Sequence, residues 1–477
     1  MKVNPFIFRG YDIRGIAGKD LNSDIVEAIG KAYGTFLRRR KIRHAVVGRD
    51  CRLSGVAYMN AMIKGMREMG INVIDLGMIM TQMMYYAQYR YQTKGGVIIT
   101  ASHNPVNYNG MKLATGYSQT TQMDEMREIK EIVLTDGYVK SNEKGEYEKK
   151  DVTEDYYYDL LKKVVLKRKF KIVMDACCGT TGKFLPEILK RAGCEVVGMN
   201  LEVDGSFPLG TPDPTEKKVV YRVAEKVLKE KADFGIAFDG DGDRIGVVDE
   251  KGNILWNDVL VAIFAKEILE RFPKSKIVYN TLCSRVVRDV IRENGGMPVM
   301  WRTGHSFIKA KIAEEKAAFG GELSGHFFFA DNAYGHDDGA YAALRTLEYL
   351  SEKGQSLGQL YSSFPKYISS PEIKIGCPDD KKVAVIKDLS KKFKDNFPDA
   401  EITDDTSIPG DDGIRADFND GMMIFRYSQN GPYITIKFEA LDSIKYEERK
   451  QYIRSLLESY PDMIWEDELC VNLESLE

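Results

Sequence analysis

Short apolar runs alternating with stretches of helical period recur through most of the chain, and this alternation limits the folds open to it. The first helix is expected to be capped by Ser23 or Asp24. Its Ile25, Ala28, Ile29, Ala32, Tyr33, Phe36 and Leu37 fall at i, i+3, i+4, i+7 spacing. A strand follows at Ala45-Val46-Val47, then a helix over roughly 56–69 and strands near 71–76 and 95–100. Such β/α alternation implies a largely parallel sheet, because parallel neighbours need a crossover between them. The pattern returns with strands near 171–176, 194–200 and 234–239. It returns again near 277–280, 297–301 and 317–321, ending in a helix from about Asp337. The last hundred residues differ, with a helix near 380–394, strands between 400 and 440 and a helix near 443–459. The expected fold class is therefore three similar α/β domains (1–150, 151–252 and 253–368) plus a smaller C-terminal α+β domain (369–477). A length of 477 residues suits that division, and the polar segment 140–153 and Ser369-Ser370-Pro371 mark two of its boundaries.

Charge and cysteine usage narrow the partners. With 68 basic and 71 acidic residues the net charge is −3, which argues against nucleic acid or an anionic membrane as partner. Anion binding must then come from local clusters of Arg and Lys. The seven cysteines are scattered without CxxC spacing and read as reduced thiols, not a disulfide framework or zinc site. No apolar run approaches the ~18 residues of a membrane span, and the first residues carry no secretory h-region. The chain is expected to be soluble and cytoplasmic.

Five stretches carry chemistry. Thr100-Ala101-Ser102-His103-Asn104-Pro105 follows the strand at 96–99, where ligands of parallel sheets bind. Ser102 suits a nucleophile or phosphate carrier, while His103 and Lys112 offer positive charge or proton transfer. The same residues would also make a plain strand-to-turn junction. Asp239-Gly240-Asp241-Gly242-Asp243-Arg244 sets three carboxylates at alternate positions, and these repel unless a cation joins them. The intervening glycines allow a tight loop, and hard carboxylate oxygens favour Mg²⁺ or Ca²⁺ over zinc. A solvated acidic turn is the alternative. Gly320-Gly321-Glu322-Leu323-Ser324-Gly325-His326 offers carboxylate, hydroxyl and imidazole to sugar hydroxyls, or is a glycine-rich hairpin with polar tips. Arg302-Thr303-Gly304-His305-Ser306-Phe307-Ile308-Lys309 brings three cations to a strand-to-helix loop, or is a capped helix start. Arg426-Tyr427-Ser428-Gln429-Asn430-Gly431-Pro432 suits a phosphate cradle or a hairpin turn. Three of the five histidines, His103, His305 and His326, fall in these loops.

Together with Phe8-Arg9-Gly10-Tyr11-Asp12-Ile13-Arg14-Gly15 and Gly48-Arg49-Asp50-Cys51-Arg52-Leu53-Ser54-Gly55, these stretches resemble the α-D-phosphohexomutase family, and within it the phosphomannomutase/phosphoglucomutase branch. The matches run in the family's order from residue 8 to about 440. The resemblance implies four domains around a central cleft. It implies an isomerase that moves phosphate between C1 and C6 of mannose or glucose through a phosphoserine at Ser102, with hexose 1,6-bisphosphate as intermediate and activator. Asp239, Asp241 and Asp243 would hold Mg²⁺ together with a phosphate oxygen on Ser102. Lys112 and His326 would transfer protons beside His103, and Arg244 would be the transition-state cation. Glu322 and Ser324 would bind ring hydroxyls. His305, Arg426, Ser428 and Asn430 would hold the non-reacting phosphate, with Tyr11, Arg14 and Arg302 also at the substrate. The chain departs from the family at Asn430, usually threonine, at Leu282, a lysine in some relatives, and at the Cys177-Cys178 pair. Phosphoglucosamine mutases usually carry Gln at the Leu323 position, which favours mannose and glucose over glucosamine. A non-catalytic phosphosugar-binding protein is the rival of another class, and the intact Ser102, aspartates and Lys112 argue against it.

Overall fold

The structure is a computed structural model that describes residues 3–429 and 431–477. Four sheets form among them. The first has the parallel strands His44–Arg49, Asn72–Met78 and Gly95–Ile99 at its centre. It is extended by Tyr108–Gly116, antiparallel to Gly95–Ile99, and then by Asp12–Ile16. The second sheet places Phe234–Phe238 parallel to Lys171–Asp175 and antiparallel to Ile245–Asp249. The third places Phe319–Gly321 parallel to Lys276–Asn280 and antiparallel to Phe327–Phe329. The sheets are therefore mixed, where alternation alone suggested a largely parallel arrangement. In each α/β unit a parallel strand turns back on itself, and the turn is one of the chemically rich loops. Every pairing in the C-terminal sheet is antiparallel, and Gly421–Tyr427 and Tyr433–Ala440 form the hairpin that carries its loop.

The first helix is Ser23–Arg39, and its cap is Asn22, whose side chain accepts the Ile25 N–H; Ser23 and Asp24 already lie inside it. Asn places an acceptor as well as Ser does, so the start moves one residue earlier. The helix Thr81–Arg90 escaped the periodicity because residues 81–88 are buried on every side, leaving no polar face to mark it. It matters for the site. Met80, Met83, Met84 and Tyr85 join a continuous core with Ile236, Phe238, Ile245 and Phe327, so the three α/β units share packing. The C-terminal unit has a core of its own, around Ile375, Leu389, Phe425 and Ile453.

Candidate active site

Ser102 sits at the first hairpin turn with φ 51°, a region that serine seldom occupies. Two groups hold it there. The Thr100 hydroxyl accepts the Ser102 N–H at 2.8 Å, and the buried Arg52 guanidinium donates to the carbonyls of Ser102, Asn104, Pro105 and Tyr108. The Ser102 hydroxyl donates to Asp239 Oδ2 at 2.6 Å and lies 3.2 Å from His103 Nδ1.

The second turn meets it across a narrow gap. A Cβ on Gly240 would lie 2.8 Å from the Ser102 carbonyl, so a larger residue would push the loops apart. Thr81, at the start of its buried helix, donates from its N–H to the Asp241 carbonyl at 3.0 Å and from its hydroxyl to Asp241 Oδ2 at 2.6 Å. Asp239, Asp241 and Asp243 are all fully buried, and one oxygen from each lies within 4.8 Å of the others. Burial, reinforced by Asp241 and Asp243, pushes Asp239 well above the usual carboxylate range. Burial also pushes Asp243 up. Burial opposes ionisation of Asp241 too, but Lys112 and the Thr81 hydroxyl outweigh it and hold that group low. Lys112 donates to Asp241 Oδ2 at 3.0 Å and to Asp243 Oδ2, and these carboxylates keep it protonated despite its burial. Asp241 Oδ1 and Asp243 Oδ1 are buried with no hydrogen-bond partner. One ammonium among three buried carboxylates leaves negative charge and lone pairs unmatched, which is what a hard divalent cation would satisfy.

The third turn is joined to the second. Gly325 has φ 91°, a Cβ there would fall 2.5 Å from the Ile245 carbonyl, and the Ile245 N–H donates to the Gly325 carbonyl at 3.2 Å. Arg244 Nε donates to His326 Nε2 at 2.9 Å, so the other ring nitrogen carries the proton and faces Asp337 Oδ2 at 3.2 Å. Glu322 is buried, which pushes its carboxyl up, and accepts the Gly304 N–H at 2.8 Å. His305 lies 3.5 Å from Asp12 and edge-on to Tyr11, and burial, with Lys309 nearby, holds it neutral with a pKa of about 3. His103 is likewise pushed well down, by burial and then by Arg244.

These turns converge on one cavity, to which all four units contribute. Tyr11, His103, Arg244, His305, Glu322, Ser324, His326, Arg426 and Ser428 line it, all of them singled out from the sequence. Asn430 lies outside the described residues. Two other expected substrate contacts do not line the cavity. Arg14 is buried behind the first turn, donating to the Thr100 carbonyl and to Asp12. Arg302 stacks 3.7 Å over the Phe307 ring and donates to the Gly410 carbonyl. Arg426 reaches the cavity with its guanidinium forked onto Asp412. Leu323 and Leu282 are buried in the shared core, so neither side chain lines the cavity. Cys177 and Cys178 both have positive φ, Arg222 Nη2 donates to the Cys177 sulfur at 3.1 Å, and all seven cysteines are free. Gln429, from the expected phosphate cradle, also lines the cavity; Glu372, Lys374 and Tyr433 line it too and were not foreseen. Ile373-Lys374-Ile375 does alternate as a strand should, but alternation reports a polar face and not what that face looks onto. Arg52 and Asp337 were missed as well, because their roles lie in contacts distant along the chain.

Among the described residues, no helix is long and apolar enough to cross a membrane. Residues 5–139, 154–252 and 256–367 match, in that order, the alpha/beta/alpha domains I, II and III of phosphoglucomutase/phosphomannomutase. A phosphomannomutase/phosphoglucomutase of Pseudomonas syringae pv. tomato is 37% identical over 434 residues, covering 91% of each chain. A phosphoglucomutase of Neisseria meningitidis serogroup A is 36% identical over 460 residues, 96% of this chain and 98% of the relative. The crystal structure of a phosphoglucomutase/phosphomannomutase family protein from Burkholderia thailandensis superposes with a TM-score of 0.86 at 33% identity, covering 96% of this chain and 98% of the other. Likeness of that degree, carried over nearly the whole of both partners, means that the chain belongs to the phosphoglucomutase/phosphomannomutase family.

Proposed function

We propose that the enzyme interconverts hexose 1-phosphate and hexose 6-phosphate, of mannose or glucose, through a phosphorylated Ser102 and a hexose 1,6-bisphosphate that stays in the cavity. The observation that carries this reading is the hydrogen bond of the Ser102 hydroxyl to Asp239, inside a buried three-carboxylate cluster whose chain neighbours His103 and Arg244 line the cavity together with the sugar and phosphate loops. In the first half-reaction the free sugar hydroxyl attacks phosphorus, the bond from phosphorus to Ser102 Oγ breaks, and Oγ takes up a proton. The second half-reaction runs in reverse from the other end of the bisphosphate. A serine monoester and a sugar monoester are of similar energy, so both steps are reversible.

The His326 Nε2 lone pair, which accepts from Arg244 Nε in this geometry, would take the proton of the attacking hydroxyl once Arg244 turns to the phosphoryl group, with Asp337 orienting the ring. Lys112, held as an ammonium, suits delivery of a proton to the departing Oγ, and Arg244 meets the charge that spreads over the phosphoryl oxygens. Glu322 and Ser324 would orient the ring in both poses. Arg426 and Ser428, with Asn430, would hold the distal phosphate while His305, neutral and paired to Asp12, shapes that side of the cavity. Asp239, Asp241, Asp243 and the Ser102 oxygen fit Mg²⁺, which when bound supplies charge neutralisation to the phosphoryl group.

The test is a coupled assay with mannose 1-phosphate, glucose 1-phosphate and glucosamine 1-phosphate, together with peptide mass spectrometry after treatment with hexose 1,6-bisphosphate. Turnover of mannose or glucose 1-phosphate is expected, with ~80 Da on the Ser102 peptide. A clear preference for glucosamine 1-phosphate would make the enzyme a phosphoglucosamine mutase. Phosphate solely on another residue would overturn the mechanism.

A further inference from the structure

Lys374 lies on Ile373–Gly376, a strand of the C-terminal sheet, yet its side chain lines the cavity beside His103 and Arg244, which belong to the first and second units. It is 5% exposed, and Asp213, of the second unit, is 1% exposed and accepts from it at 3.2 Å. Asp213 Oδ1 is already committed to the Thr215 N–H at 3.0 Å and the Thr215 hydroxyl at 2.7 Å. An ammonium has three donors, so the Asp213 contact leaves two for a ligand. The strand that carries Lys374 is held on both edges. Tyr433–Ala440 pairs with one, and Val471 exchanges bonds of 2.9 and 3.1 Å with the other. The segment supplying Val471 is itself tied to the second unit, since Lys217 donates to the Ser475 hydroxyl at 2.7 Å. A lysine used only to join two units would not need a seat on the cavity wall, nor a position fixed on both edges within reach of a phosphoserine loop.

We propose that Lys374 is a phosphate-binding residue of this enzyme, a cation that the C-terminal unit carries to the Ser102 end of the cavity. Asp213 holds it in place between turnovers, and a phosphate dianion entering beside His103 and Arg244 takes up its remaining donors. The ligand chemistry is a phosphate monoester, borne either by the sugar or by Ser102. This inference rests on the mutase reading of the same cavity. Its consequence is that the C-terminal unit binds phosphate at both ends of the substrate, through Lys374 near Ser102 and through Arg426 and Ser428 at the far loop.

The experiment compares Lys374→Met, Lys374→Arg and Asp213→Asn in the full-length enzyme, after wild-type mutase activity has been established. Absence of that activity would count against the mutase reading and not against Lys374 alone. Loss of a charged hydrogen bond predicts a ~10–100-fold rise in KM for Lys374→Met, with substantial recovery in Lys374→Arg. Both Lys374→Met and Asp213→Asn break the ion pair, so thermal melting reports the shared structural part, and the KM rise should be much larger in the lysine variant. Equal rises in the two would make Lys374 a structural tie and overturn the proposal. Calorimetry of hexose 6-phosphate binding in a Ser102→Ala background separates the two sources. Weakened binding there assigns Lys374 to the sugar phosphate. Unchanged binding with faster loss of phosphate from the phosphorylated enzyme assigns it to phosphoserine. Neither effect, with KM unchanged, would rule out phosphate binding by Lys374.

Discussion

The two ends of the cavity are built from the same element, a hairpin turn, but balance their charge in opposite ways. At the Ser102 end three buried carboxylates face one ammonium, two of their oxygens have no partner, and Asp239 is driven towards its neutral form. At the far end Arg426 is met by Asp412 in a two-pronged contact, and its neighbour Asp411 is pushed up to about 7, by burial first and by Asp412 next. The carboxylate cluster beside Ser102 keeps oxygens without a partner, while Arg426 is matched within the protein. That difference suits a site where a metal and a moving phosphoryl group supply what is missing, opposite a site where a phosphate is simply held.

The strongest break in this comparison would come from Ser102→Ala. Mutase turnover should fall by at least ~10³-fold in the coupled assay, since the only proposed phosphate carrier is gone. Near-normal turnover would show that the reacting end has been misplaced. Asp241→Asn removes one charge and one strong ligand while keeping the shape. Activity should drop by at least ~10-fold, with a weaker calorimetric response to Mg²⁺. Full activity at low Mg²⁺ would remove the cation from this end.

The far end should behave differently. Arg426→Ala is expected to raise KM more than it lowers kcat, because the contact is made in ground and transition states alike. It also leaves Asp412 buried and unmatched, which costs roughly 3 kcal/mol in denaturant unfolding. Adding Asp412→Asn should restore stability without restoring KM. A parallel recovery of both would mean that the guanidinium acts only as a structural tie. The smallest effect concerns pH. The folded state keeps the Asp411 proton between the ordinary carboxylate value of 3.8 and about 7, where the unfolded chain has lost it, so rising pH lowers stability across that window. Asp411→Asn should shrink the melting-temperature difference between pH values of about 5 and 8. An unchanged difference would show that Asp411 ionises normally.

Much of this was legible along the chain, and the part that was not has a common cause. Local composition singled out Ser102, the alternating aspartates and the glycine-bounded Glu322 and His326 as candidates, because a turn's chemistry is carried by residues a few positions apart, and the family resemblance chose the chemical reading over a plain turn. Period marked the helix Ser23–Arg39 and missed Thr81–Arg90, which is buried all round and has no polar face to reveal it. Antiparallel return strands were missed too, since Tyr108–Gly116 mixes polar and apolar residues in a strand buried between neighbours. Arg302 and Arg14 were placed at the substrate by sequence context, and packing turned one onto Phe307 and the other behind the Ser102 turn.

Residue order therefore accounts for which groups can do chemistry here, because the serine hydroxyl, carboxylates and imidazole each sit in a short loop whose composition is local. It does not account for which of them meet. The pairing of Ser102 with Asp239, of Arg244 with His326 and of Lys374 with Asp213 joins residues 137, 82 and 161 positions apart. Each depends on the way the units pack, and for Lys374 on a strand edge closed by Val471. Charge compensation is a sum over neighbours in space, so the unmatched carboxylates at one end and the matched arginine at the other arise only when four units bring their turns to one cavity.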